Sequence, residues 1–296
     1  MQLSENSITL ADGRRLSYAE YGDPEGEPVF LIHGIPGSRL TWRAMARPGF
    51  RPGLRIIAPD RPGYGSSDFF RRGQTIVDYP DDIVQLADAL GIERFAIFGP
   101  SGGGPYVLAC AWKIHERLTS VGLFASVGPN LPEATVGMSP VVQRLYRFAP
   151  RFPRLVRLQM AVMALLTRWF PGLYVRMIRS EFSQVDLQTY SRLGLDELMK
   201  SDRKETYRRY GRGVAYDVTL PGRWPIPLEQ MRAKVHIWQG EQDTTVPPAT
   251  ARYLANKIPN SELTIIPDAG HLWAFEHLHE MLDTLLPATA GLSVDS

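Results

Sequence analysis

Four apolar runs rich in β-branched and aromatic residues punctuate the first 127 positions, and helical patterns separate them. The runs are Val29 to His33 (VFLIH), Arg55 to Asp60 (RIIAPD), Phe95 to Gly99 (FAIFG) and Ser120 to Ser126 (SVGLFAS). Each is apolar nearly throughout, the pattern of a strand covered on both faces. Between the second and third, the segment from Asp78 to Ile92 places Ile83, Leu86, Ala87 and Leu90 at helical spacing and closes at Gly91, a suitable C-terminal cap. Strands alternating with helices predict an α/β fold, a parallel sheet covered by helices. The pattern resumes at Val235 to Gly240 (VHIWQG), a helix from Ala249 to Ile258, Leu263 to Pro267 (LTIIP) and a last helix from Trp273 to Leu286.

The intervening stretch breaks the pattern. From Pro129 to Pro227 no comparable strand signal is present, and arginines, methionines and aromatic residues recur at helical spacing. This predicts a helical cap, residues 129–227, inserted into a core made of 1–128 and 228–296. Between Ala134 and Arg223 fourteen Arg and two Lys face seven Asp and Glu, a net of +9 in a chain of net charge +2, so the remainder carries −7. A cationic lid that draws anionic substrates or rests on a partner is the functional reading. Solvated helix faces are the simpler account, since single charges scatter freely over surfaces.

Composition excludes several classes. At 44% hydrophobic and 22% charged residues the 296-residue chain has the make-up of an ordinary globular protein. A net charge of +2 argues against nucleic-acid binding. Apolar runs fall well short of the ~20 residues of a transmembrane segment, and the opening MQLSENSITLADGRR lacks a signal-peptide core. The expected location is cytoplasmic. Cys110 is the sole cysteine and rules out an internal disulfide; its place in a helix reads as packing.

Chemistry enters at Ser101. Gly99, Ser101 and Gly103 spell G-x-S-x-G between a strand and a helix, the setting of a nucleophile elbow. The spacing does not fit a dinucleotide fingerprint, and GPSGGGP lacks the Lys-Ser/Thr pair of a P-loop. A serine hydroxyl needs a base, an orienting carboxylate and oxyanion donors. His271, in IPDAGHLW after the last strand, supplies the base, and Asp243, in GEQDTTVP after VHIWQG, the acid. Glu241 and Asp268 are rival acids; the first comes early in its turn and the second is only three residues from His271. The amides of Ile35 and Gly102 are expected to form the oxyanion hole. His33 ends its strand before Gly34; a base or a substrate contact is the functional reading, and bracing of the loop is preferred. His115, His277 and His279 read as helix surface, and His236 lies within a strand. No histidine spacing matches a metal site, so neither metal nor cofactor is expected.

Taken together, HGIPGS, APDRPGYGSSD (Ala58 to Asp68), GPSGGG, IWQGEQDTTVP and IPDAGH resemble, in order and spacing, the α/β-hydrolase fold superfamily. The resemblance implies a mostly parallel eight-stranded sheet with a cap after SVGLFAS. It carries nucleophile, acid and base onto Ser101, Asp243 and His271, and leaves Asp60 and Arg61 in a structural loop. Related epoxide hydrolases and haloalkane dehalogenases use an aspartate as nucleophile, so the serine points to acyl transfer to water.

The expected substrate is a small, partly apolar carboxylic ester. Lactonase, thioesterase, proline iminopeptidase and carbon–carbon bond hydrolase activities share the machinery, and a non-catalytic ligand receptor or scaffold is the alternative from another class. In the cap, Met160, Met163, Leu165, Leu166, Trp169 and Phe170 form one apolar stretch. Trp169 and Phe170 are candidates for the acyl pocket, with core packing as the alternative.

Overall fold

A computed structural model of the chain describes residues 5–45 and 53–286. The outer ends of the two expected core segments, 1–4 and 287–296, lie outside the described residues, as does 46–52. Eight strands form one sheet: β1 (Glu5–Thr9), β2 (Arg15–Gly22), β3 (Glu27–Leu31), β4 (Leu54–Pro59), β5 (Phe95–Pro100), β6 (Leu118–Phe124), β7 (Val235–Gly240) and β8 (Ser261–Ile266). Their spatial order is β1-β2-β4-β3-β5-β6-β7-β8. β2 runs antiparallel to β1 and β4, and every later pairing is parallel. The chain therefore forms the expected α/β architecture, with the sheet extended at one edge by a hairpin not read from the sequence.

Ten α-helices accompany the sheet among the described residues: α1 (Tyr79–Ala89), α2 (Gly104–Lys113), α3 (Pro140–Phe148), α4 (Pro153–Trp169), α5 (Pro171–Arg179), α6 (Gln184–Leu193), α7 (Asp196–Thr206), α8 (Arg212–Asp217), α9 (Pro248–Lys257) and α10 (Ala274–Leu285). Strand side chains alternate between two cores, as a period of two requires. Phe30, Ile57, Ile97 and Leu123 pack with Ile83 of α1, Val107 of α2 and Leu254 of α9. Their neighbours Leu31, Ile56, Phe98 and Phe124 pack on the other face with Leu278 and Leu282 of α10. Each such fully buried side chain contributes about 1.5–3 kcal/mol of burial. By contrast β8, at the sheet edge, is only half covered.

All of α3 to α8 lies between β6 and β7, with no strand among the described residues there. Proline at the first position of α3, α4 and α5 fixes φ where no amide partner is needed. Ser183 caps α6 by accepting from Asp186 N–H, and Gly194 ends that helix at φ +59. A third core unites these helices around Val156, Met160, Tyr174, Tyr190 and Tyr207, and it reaches the sheet edge through Tyr64, Ile35 and Leu272.

The start of α2 fixes how closely helix and sheet approach behind Ser101. A Cβ on Gly104 would stand 1.8 Å from Ser126 Oγ and 2.6 Å from its Cβ, so only glycine fits without displacement. Gly104→Ala should therefore lower stability by about 1–3 kcal/mol in urea unfolding, the usual cost of overpacking. Adding Ser126→Gly should return much of that loss. A Gly104→Ala midpoint equal to wild type would contradict the close approach.

Candidate active site

Strands β5, β7 and β8 run parallel, so the segments leaving their carboxyl ends meet at one edge of the sheet, where open α/β sheets place ligands. Ser101 follows β5 directly with φ +52, in the left-handed region. For a non-glycine residue that conformation costs about 1–2 kcal/mol. Close packing behind it holds the turn: Ser101 C=O accepts from Val127 N–H at 3.0 Å, and a Cβ on Gly103 would stand 2.6 Å from Ile32 O. Ser101 keeps 8% of its surface exposed.

Asp243 leaves β7 and is buried. Its Oδ1 accepts from the N–H groups of Thr245 and Val246, both at 2.9 Å. Its Oδ2 lies 2.7 Å from His271 Nδ1. An ionised carboxylate only accepts, so Nδ1 carries the proton and Nε2 keeps its lone pair. Burial pulls the His271 pKa down, but the Asp243 charge and hydrogen bond, with help from the Asp186 charge, outweigh it and leave the imidazole above its ordinary value. Of the three carboxylates the sequence offers, only Asp243 meets the histidine. Glu241 is exposed, and Asp268, also exposed, accepts from Gln242 Nε2 at 3.0 Å. No hydrogen bond joins Ser101 to His271 among the described residues, a link that in unliganded sites often tightens only around substrate.

Beside the elbow lies the loop after β3. A Cβ on Gly34 would sit 3.4 Å from Ser101 Cβ, and one on Gly102 would strike the Ile35 side chain. Arg61, fully buried, organises this contact. Its guanidinium donates to Gly34 O at 2.8 Å, Gly102 O at 2.9 Å and Asp217 Oδ2 at 2.6 Å. Because the Gly34–Ile35 peptide is planar and trans, holding its carbonyl also sets the direction of the Ile35 N–H, which has no acceptor in the chain among the described residues.

His33 is fully buried, so it has no surface with which to touch a bound molecule. Arg61 N–H donates to His33 Nε2 at 3.1 Å, and the ring's Nδ1–H is thereby left for Gly34 O at 3.0 Å. That tautomer makes the 3.4 Å approach of Arg61 Nε to Nδ1 a contact between two donors. Burial, reinforced by the nearby Arg61 charge, drives the His33 pKa well down and keeps the ring neutral.

Trp169 and Phe170 are 67% and 63% exposed, on the side of α4 and α5 away from the third core. The inner face of α4 instead presents Met160, Met163 and Leu166 to the core that contains Leu272 and touches Ile35. Sequence reasoning missed Asp186, whose Oδ1 accepts from Leu272 N–H at 2.7 Å and so ties α6 to the residue after His271. A Cβ on Gly270 would collide with that carboxylate, 2.4 Å from Oδ1. The spacing Ser183-x-x-Asp186 was its available signal, a helix cap carrying a spare acid.

A cavity of about 430 Å³ lined by Phe69, Arg157, Arg212, Tyr216 and Leu220 lies apart and includes none of Ser101, Asp243 or His271. Among the described residues no group of three or more His, Cys, Asp or Glu is arranged to hold a metal ion. Burial raises the Cys110 thiol far above its ordinary pKa, in keeping with an inert packed side chain.

Comparison with known proteins agrees with this architecture. The sequence model of the α/β hydrolase fold matches residues 27–278. The chain is 29% identical over 277 residues to the dihydrolipoyllysine-residue acetyltransferase component of an acetoin cleaving system from Pseudomonas putida, covering 93% of this chain but only 66% of that relative's length. It is 26% identical over 294 residues to lipase 1 of Psychrobacter immobilis, covering 95% of this chain and 82% of the lipase. It is 27% identical over 272 residues to a 2-hydroxymuconate semialdehyde hydrolase from Pseudomonas sp. strain CF600, covering 90% of this chain and 88% of that enzyme.

The charge pair at this edge has a measurable consequence. His271 should titrate above the ordinary histidine value of about 6.5 in a histidine NMR titration, and Asp243→Asn should lower its midpoint, since burial then acts without the opposing charge. A midpoint at or below the ordinary value in the wild type, or one unmoved by the substitution, would contradict the pairing.

Proposed function

The chain belongs to the α/β hydrolase fold family, and on that premise we propose that it is a serine hydrolase that cleaves the carboxylic ester of a small, partly apolar molecule. The observation that carries this reading is the 2.7 Å contact between His271 and Asp243 at the sheet edge where Ser101 sits in a strained turn. In the proposed reaction His271 Nε2 takes the proton of Ser101 as its Oγ bonds to the ester carbonyl carbon. The Ile35 and Gly102 amides hold the oxygen that becomes negative, and Asp243 stabilises the imidazolium. Collapse breaks the carbon–oxygen bond, and the leaving alcohol receives the proton from His271. Water, deprotonated by the same nitrogen, then releases the acid and restores Ser101. No step requires a metal or an organic cofactor.

Set against an amide, an ester is the less demanding substrate because its alkoxide leaves more readily, although the same machinery also cleaves amides. The sequence relationship to a lipase supports the same choice. We further propose that α3 to α8 act as a cap, with Met163 and Leu166, packed against the core that Ile35 also touches and Leu272 belongs to, as the apolar wall for the acyl group.

A panel of activated esters of graded acyl length, lactones, thioesters, aminoacyl amides and 2-hydroxymuconate semialdehyde tests the reading. Short and medium esters should give the highest kcat/KM. Ser101→Ala should reduce kcat at least ~10³-fold with an unchanged melting profile. Turnover that survives in Ser101→Ala would refute the nucleophile, while preference for a non-ester substrate with Ser101 still essential would refute only the ester. Tight ligand binding without turnover of any panel member would favour the receptor reading.

A further inference from the structure

Helix α4 is apolar on two opposite faces. Val156, Met160, Ala164 and Thr167 are buried against the insertion core. On the far side Leu155, Leu158, Val162, Leu165 and Trp169, spaced alternately three and four residues apart, are 63%, 63%, 55%, 49% and 67% exposed. The stripe continues onto α5 through Phe170, Leu173 and Met177, which are 63%, 56% and 41% exposed. Side chains scattered singly over a surface need no partner, but a contiguous stripe two helices long does.

The charge around it identifies the partner. From Pro140 to Arg179 the chain carries eight arginines and no Asp, Glu or Lys. Arg154, Arg168 and Arg176 are exposed along the stripe, and the Arg168 guanidinium lies 5.7 Å from the Trp169 ring. We propose that this face of α4 and α5 is a docking surface for an anionic phospholipid bilayer. Leucines and aromatic rings enter the boundary between headgroups and acyl chains, while arginines extend along their stems to reach lipid phosphates. Docking is peripheral, since no helix among the described residues is long and apolar enough to cross a membrane. A second copy of the chain is disfavoured as occupant, because a twofold contact would set this arginine field against itself. The inference is independent of the chemistry assigned to Ser101.

Sedimentation of the full chain with vesicles tests it, using phosphatidylcholine alone and phosphatidylcholine mixed with phosphatidylglycerol. Partition onto the anionic vesicles should be at least about tenfold greater and should weaken as salt is added. Leu155→Gln with Leu158→Gln should reduce it about tenfold, and Arg154→Glu with Arg168→Glu should abolish the preference for anionic lipid. All four side chains are exposed, and circular-dichroism melts of the variants should match wild type. Wild-type protein that binds neither vesicle, or both equally, would overturn the proposal. So would a stable dimer by light scattering that the leucine variant dissociates, which would make the stripe a self-interface.

Discussion

A single buried guanidinium ties the site together. Arg61 sits beneath the sheet edge, joined at once to the elbow carbonyl of Gly102, the loop carbonyl of Gly34 and the Asp217 carboxylate of α8. Burying such a charge is costly unless it is paired and fully hydrogen-bonded. Burial opposes ionisation of Arg61, but the Asp217 charge more than compensates and holds it protonated. Asp217 is in turn gripped by the hydroxyls of Tyr64 at 2.5 Å and Tyr106 at 2.6 Å. The two loops that flank Ser101 are thus fixed to one group, and that group is fixed to the helical insertion. Placement of the Ile35 amide, the proposed oxyanion donor, follows from this network.

The same logic recurs across the boundary between insertion and sheet. Asp202 accepts from the hydroxyls of Ser38 and Thr41, Glu205 pairs with Arg39 at 2.5 Å, and Asp186 holds Leu272 N–H. Four of the seven acids between Ala134 and Arg223 are therefore committed to anchoring core loops. The outer face of the insertion is therefore left more cationic than its net charge of +9 alone conveys. These four carboxylates point inward at the junction, while the arginines of α3 and α4 are exposed and have no acidic neighbours in sequence.

Much of this was legible in the sequence because burial on both faces leaves a strong signature. Six of the eight strands and the helices α1, α9 and α10 fall within a few residues of where apolar runs placed them. The first hairpin escaped notice because β1 is an edge strand whose interior carries one apolar residue, Ile8, and β2 is interrupted by Ser17 and Glu20. The turn Asp12-Gly13, with Gly13 at φ +82, was the available clue. The meeting of Asp243 with His271 followed from strand order alone, since parallel strands bring their carboxyl ends together. Trp169 and Phe170 could not be oriented, because α4 repeats apolar residues at helical spacing on both faces and periodicity does not say which one is inside. Asp186 and Asp217 were invisible for a different reason: their partners are a backbone amide and a guanidinium distant in sequence.

Ser101 is the proposed nucleophile that this scaffold holds in place. Reaction with a fluorophosphonate, followed by peptide mass spectrometry and activity assay on the same samples, addresses that role most directly. One phosphonyl group per chain is expected, located on Ser101, with activity lost in proportion to its incorporation. Activity that persists after complete modification of Ser101, or loss of activity that tracks a phosphonyl group on another residue, would contradict it.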